Sequence, residues 1–276
     1  MMKRFPLSLA LGAAILVPVL LAALIGPWLA PHAPDAIALD ARLLPPGPDH
    51  WAGTDEVGRD LLSRMLWGLR ASLLAGLSIV VTASLTGTLI GSVSGTVGGA
   101  VDMVLMRAMD MVMSLPGLVV AMALTAALGA SLSNAVLALA VLSIPYYARV
   151  ARAQAMAVSA LPYVKAASTM GAGLGRLLRV HVLPNIAAQV LVVMTLHLGS
   201  AILAVAALGF IGLGAQPPSA ELGMLVNGGR RFILEQWWYS ALPGLLIVLA
   251  VLGFNLLGDG LRDLADPKSR NRSLVS

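Results

Sequence analysis

Six stretches, at residues 7–29, 71–94, 104–128, 132–150, 186–210 and 240–258, constrain this chain more than any other feature, because each is apolar for long enough to cross a bilayer. Crossing roughly 30 Å of hydrocarbon takes about 20 helical residues. Of 276 residues 58% are hydrophobic and 11% charged, with a mean hydropathy of +0.88. A soluble domain carries about a quarter charged residues. So large an apolar fraction does not fit one aqueous core, and lipid must solvate part of it. The expected fold is an all-α integral membrane protein with six transmembrane helices.

Loop charges orient those helices. The 149–185 segment carries Arg149, Arg152, Lys165, Arg176 and Arg179 and no acid, and Lys3 and Arg4 precede the first span. The 30–70 segment sets Arg42, Arg59, Arg64 and Arg70 against Asp35, Asp40, Asp49, Asp55, Glu56 and Asp60. Basic residues near span ends favour the cytoplasmic side, which places both termini and the 149–185 loop inside. Residues 30–70 and 211–239 then face outward, with Trp237, Trp238 and Tyr239 at the outer interface. The same rule assigns the net charge of +5 to topology rather than to nucleic acid. The apolar stretch from Leu7 to Leu29 exceeds the 7–15 residues of a cleaved signal sequence and reads as an uncleaved anchor.

Beyond the first span, Pro27, Pro31, Pro34, Pro45, Pro46 and Pro48 deny the chain a continuous helix, since proline lacks the amide donor. From Asp60 to Arg70, Leu61, Leu62, Met65, Leu66 and Leu69 share one helical face. That pattern suits either a helix lying on the outer membrane surface or a polar run-up to the second span. Within that span Gly87, Gly91 and Gly95 stand four apart, a groove for close helix packing. Whether the neighbour is internal or a second subunit is left open.

Little in the sequence points to chemistry. There is no cysteine, which removes disulfides and thiolate sites. His197 is the one clear ionisable residue at membrane depth, and alone it reads as a hydrogen-bonded packing residue; a buried acid for proton or sodium coupling is missing. Asp102, Arg107 and Asp110 form a charge cluster at the inner end of the third span, with Arg107 and Asp110 three apart and able to pair. The methionines at 103, 106, 109 and 113 read as packing. No catalytic residue, metal site or bound cofactor is expected. Lys3, Lys165 and Lys268 are the only lysines and none follows a glycine, so there is no phosphate-binding loop.

Between the fourth and fifth apolar stretches, Leu161–Gly171 reads as a short helix and a glycine turn, followed by a second helix and Leu183-Pro184-Asn185. This arrangement resembles the cytoplasmic EAA loop of ABC-importer permeases. Other segments agree in order along the chain. They are the string His50–Arg64, Gly98-Gly99 with Met106-Arg107 and Asp110, Gly209–Gly214 with Pro217-Pro218, and Asn255–Asp263 with Asp266-Pro267. Together they resemble the second permease subunit of dipeptide, oligopeptide and nickel ABC importers.

The resemblance implies the MetI-like type I importer fold, with an anchor and extracytoplasmic segment over 1–70, a permease domain over 71–276 and a coupling loop over 151–185. It implies a multi-pass protein of the inner membrane with four kinds of partner: a second permease, two ATPase subunits that hold ATP and Mg, an extracytoplasmic solute-binding protein and lipid. Lys165, Ala166, Ala167, Ser168 and Gly171 fall on the loop that docks into the ATPase. Two positions depart from the family pattern, since Lys165 replaces the glutamate and Ser168 the arginine. Val205 stands where peptide members often carry glutamate, which leaves nickel or a metal chelate open beside peptides. A self-sufficient channel or carrier is the reading from a different class.

Overall fold

A computed structural model describes residues 7–265. Lys3, Arg4 and the Asp266-Pro267 pair lie outside the described residues. The described elements are helices: α1 (Leu7–Leu29), α2 (Leu61–Val97), α3 (Gly99–Met113), α4 (Gly117–Leu128), α5 (Leu132–Ser159), α6 (Pro162–Thr169), α7 (Leu174–Ile211), α8 (Leu222–Gly229) and α9 (Trp237–Ala265). Five are long and apolar enough to cross a membrane, and α3 with α4 make a sixth if the bent pair is one span. The all-α membrane architecture is therefore as expected.

Three boundaries differ from expectation. First, no separate surface helix precedes the second span: α2 runs unbroken for 37 residues from Leu61, about 55 Å at 1.5 Å per residue. The run that looked amphipathic has Leu61, Met65 and Leu69 in the core, so its apolar face meets protein. The expected boundary between residues 70 and 71 falls inside this helix. Second, the third span is not continuous. It turns by 82° between α3 and α4, where Pro116 lacks an amide and disfavours helix in the residue before it. Third, α7 begins at Leu174 rather than 186 and includes a π-helical stretch, Leu177–Val182. The irregular part of the coupling segment shrinks accordingly to the residues around α6.

Packing sets the polarity of the bundle. Along α2, Gly87 faces Ile144 and Tyr147, Gly91 faces Ala148 and Arg152, and Gly95 faces Arg152 and Ala155 of α5. A Cβ on Gly87 would stand 2.6 Å from the Ile144 carbonyl oxygen, and one on Gly95 2.5 Å from that of Arg152. The glycine groove is thus filled within the chain. Rising residue numbers meet rising residue numbers, so α2 and α5 run parallel. The start of α2 and the loop after α5 consequently lie at opposite ends of the bundle. One apolar cluster joins α1, the start of α2, α8 and α9; another joins the middle of α2 to α4, α5 and α7.

Candidate functional site

At the far end of α5, Pro162 opens α6 at the first helical position, where its missing amide costs nothing. Gly171 ends the turn at φ +86° with no atom near the place a Cβ would occupy, a left-handed conformation that side-chain-bearing residues adopt only under strain. Val164 is the one buried residue of α6, and Tyr163 adds a contact to α7, its hydroxyl accepting from Asn185 at 3.2 Å beside the His181 ring. Lys165, Ala166 and Ser168 are exposed and Ala167 is half-buried. The apolar neighbours Met170 and Tyr163 are 82% and 48% exposed. The residues singled out in the sequence for this loop lie on one small projection, all but Ala167 exposed.

The charge cluster is rearranged. Asp110 accepts a hydrogen bond from Arg149 at 2.6 Å, across to α5, instead of pairing with Arg107. Arg107 is exposed and has no ion pair among the described residues. Asp102 accepts from Arg152 Nε at 2.5 Å and Nη2 at 2.6 Å, and the Ser94 hydroxyl donates to the same carboxylate at 2.5 Å. A two-pronged guanidinium–carboxylate contact adds geometric specificity as well as strength. The effect is to fasten α2, α3 and α5 together.

His197 sits on α7 at a cavity of about 260 Å³ lined also by Ile79, Ser143 and Ser200. Its Nδ1 lies 3.0 Å from the Tyr147 hydroxyl, with the Tyr146 ring 5.3 Å away. Val205 is fully buried among apolar groups.

The opposite end of the molecule holds a polar knot that the sequence did not disclose. Asp55 accepts from the Val57 and Arg59 amides and takes the Arg59 Nε at 2.6 Å. Arg64, with no exposed surface, stands 3.6 Å from the same carboxylate. It donates to the carbonyls of Pro34 at 2.9 Å, and of Pro218 and Ser219 at 3.4 Å. One guanidinium thereby joins three parts of the chain. Nearby, Glu221 caps α8 by accepting the Met224 amide at 2.9 Å, and the Ser72 hydroxyl donates to it at 2.7 Å. Burial pushes the Glu221 carboxyl above the usual range, while these hydrogen bonds pull it partway back.

The expectation of a missing acid concerned the spans, and acids are buried elsewhere. Asp55, Asp60 and Glu221 are all buried, but in loops and caps where span-by-span reading does not look. Trp238 and Tyr239, expected as interfacial anchors, belong to the core, and only Trp237 is exposed. The histidines also gain neighbours: His50 Nδ1 is 2.9 Å and His32 Nδ1 3.7 Å from Asp60 Oδ1. The string His50–Arg64 did mark this region, though nothing in it showed which groups would meet.

The family described as "Binding-protein-dependent transport system inner membrane component" matches residues 87–271. The chain is 54% identical over 269 residues to the "Probable D,D-dipeptide transport system permease protein DdpC" of Escherichia coli (strain K12), covering 98% of this chain and 90% of that protein. It is 45% identical to the "Di/tripeptide transport system permease protein DppC" of Pseudomonas aeruginosa (strain UCBPP-PA14), covering 94% and 88%. To the "Dipeptide transport system permease protein DppC" of Escherichia coli (strain K12) the identity is 46%, covering 93% and 88%.

Proposed function

Since the chain belongs to the binding-protein-dependent transport system inner membrane components, we propose that it forms, with a second permease, the pathway by which an ABC importer takes up di- and oligopeptides. A self-sufficient channel or carrier does not fit that membership. Nickel or a metal chelate is not favoured, because the relatives are named for dipeptides and tripeptides; D,D-dipeptides head the solutes to assay.

The observation that carries the mechanism is the uncovered α6 projection. A short helix touching its own chain mainly through Val164, closed by a left-handed glycine, is shaped to seat in a cleft of another protein. We place that protein as the ATPase, on the cytoplasmic side with both termini. Closure of the cleft then moves α6, and the adjoining α5 and α7 move with it as rigid bodies. The Asp102–Arg152 and Asp110–Arg149 pairs carry the motion into α3.

Reconstitution tests this reading. The chain, with its second permease, two ATPases and binding protein in proteoliposomes, is expected to accumulate labelled dipeptide only with ATP and all components. Uptake of nickel with no uptake of dipeptide would overturn the substrate; uptake without the ATPases would overturn the mechanism. For orientation, Ser219→Cys is expected to react with an impermeant thiol reagent in intact cells and Ser168→Cys to remain unlabelled. The reverse pattern overturns the topology.

A further inference from the structure

We propose that His32, His50 and Asp60 form a binding site for one divalent transition-metal ion of the zinc class. The inference is independent of which solute crosses. Each residue comes from a different place in the chain, and one ligand atom from each lies within 4.8 Å of the other two. Both imidazoles turn Nδ1 toward the same carboxylate oxygen, Asp60 Oδ1, at 2.9 Å for His50 and 3.7 Å for His32. Metal–ligand bonds of about 2.0–2.2 Å give ligand–ligand edges of about 3.3 Å in a tetrahedral site. The two observed separations straddle that edge. The two histidines, whose rings are 4.9 Å apart between centroids, need to close by at most about 1.5 Å from the 4.8 Å limit. His32 can supply that movement, because its side chain is 43% exposed.

The surroundings also suit an ion. Asp60 has no side-chain exposure, and its other oxygen is held by the Ser63 amide at 2.8 Å and the Ser63 hydroxyl at 2.7 Å. That leaves Oδ1 aimed at the histidines, the kind of outer support that orients a ligating carboxylate. The Ser63 hydroxyl in turn accepts the His32 backbone amide at 3.2 Å. Two imidazole nitrogens and one carboxylate oxygen select Zn²⁺, Ni²⁺ or Cu²⁺ over Mg²⁺ or Ca²⁺, which prefer all-oxygen sets. Solvent at the His32 side provides the entry path and the fourth position. A bound ion would clamp the segment after α1 to the start of α2.

The test uses full-length protein in detergent, freed of any polyhistidine tag, titrated with Zn²⁺ by calorimetry and with Co²⁺ by visible absorption. We expect one ion per chain and the absorption bands of a tetrahedral nitrogen–oxygen site. His32→Ala removes an exposed side chain and is expected to lose binding while thermal unfolding without metal is unchanged. Ser63→Ala should weaken binding about 10–100-fold, and His197→Ala should leave it intact. No stoichiometric Zn²⁺ binding overturns the proposal, as does equal binding in wild type and His32→Ala. If His50→Gln does not fold, His32→Ala decides alone.

Discussion

The two polar regions at opposite ends of this bundle are alike in the sequence and opposite in the structure. Both are charged, proline-punctuated interruptions between apolar helices. At one end Asp55, Asp60, Ser63 and Arg64 are buried, and the chain itself supplies most of their partners. At the other, Lys165, Ala166, Ser168 and Met170 are exposed, and the short helix there buries one valine and touches α7 through Tyr163. A buried charge is retained only where partners surround it. An exposed helix of eight residues is too short to be stable alone, so it depends on its flanks. The knot is therefore satisfied within the chain, and the projection is the surface proposed to meet a partner.

Substitutions can break or sharpen this contrast, and the largest effect on the fold belongs to Arg64. Arg64→Ala leaves three carbonyls short of a donor and takes one of two cations from the buried Asp55 carboxylate, and is expected to cost about 3–5 kcal/mol. Membrane yield and thermal unfolding in detergent measure it. Arg64→Lys should not restore stability, because an ammonium cannot reach three separate acceptors. A wild-type melting curve for Arg64→Ala would erase the distinction between the two ends.

Glu221→Gln is expected to show a smaller effect that depends on pH. Burial raises the folded carboxyl above its unfolded value of about 4.3. The folded state then holds the proton more tightly, so wild-type stability falls as pH rises from about 4.3 through the raised folded value. Glutamine has no proton to lose. The difference in unfolding temperature between variant and wild type should therefore shift in the variant's favour as pH increases. A constant difference across that window would show that burial leaves the carboxyl unshifted.

Gly171→Val forces a β-branched residue to φ +86°, a strain of about 1–3 kcal/mol confined to the turn. The spans pack elsewhere, so the protein should remain in the membrane with its unfolding temperature nearly unchanged. Peptide uptake is expected to vanish, with ATP hydrolysis no longer responding to solute. Lys165→Glu is the mildest for the fold, with no measurable change in stability and reduced uptake through weaker docking. Full transport by both variants would make the projection a plain connector.

Much of the architecture was legible because it depends on local quantities. Apolar length announced the spans, and the turn at Gly171 with Pro162 before it announced α6. The glycine spacing at 87, 91 and 95 announced a close helix contact, although only the fold identified α5 as the neighbour. Errors arose where a local rule met a tertiary alternative. Leu61, Met65 and Leu69 make an apolar face, yet whether it meets lipid or protein depends on α8 and α9. Asp110 has Arg107 within reach on its own helix and is drawn instead to Arg149, because α5 lies alongside.

The sequence by itself determined the solvent of this protein, the number and rough position of its apolar segments, and the family motifs that mark the loop. Only the tertiary structure decided which polar groups find partners. Glu221 is satisfied by Ser72, 149 positions away, and Arg64 by carbonyls 30 and 154 positions away on either side. Apolar burial is non-directional and roughly proportional to area, so it can be read from a run of residues. A hydrogen bond or ion pair needs a particular atom at a particular distance, and that placement does not exist until the helices have packed.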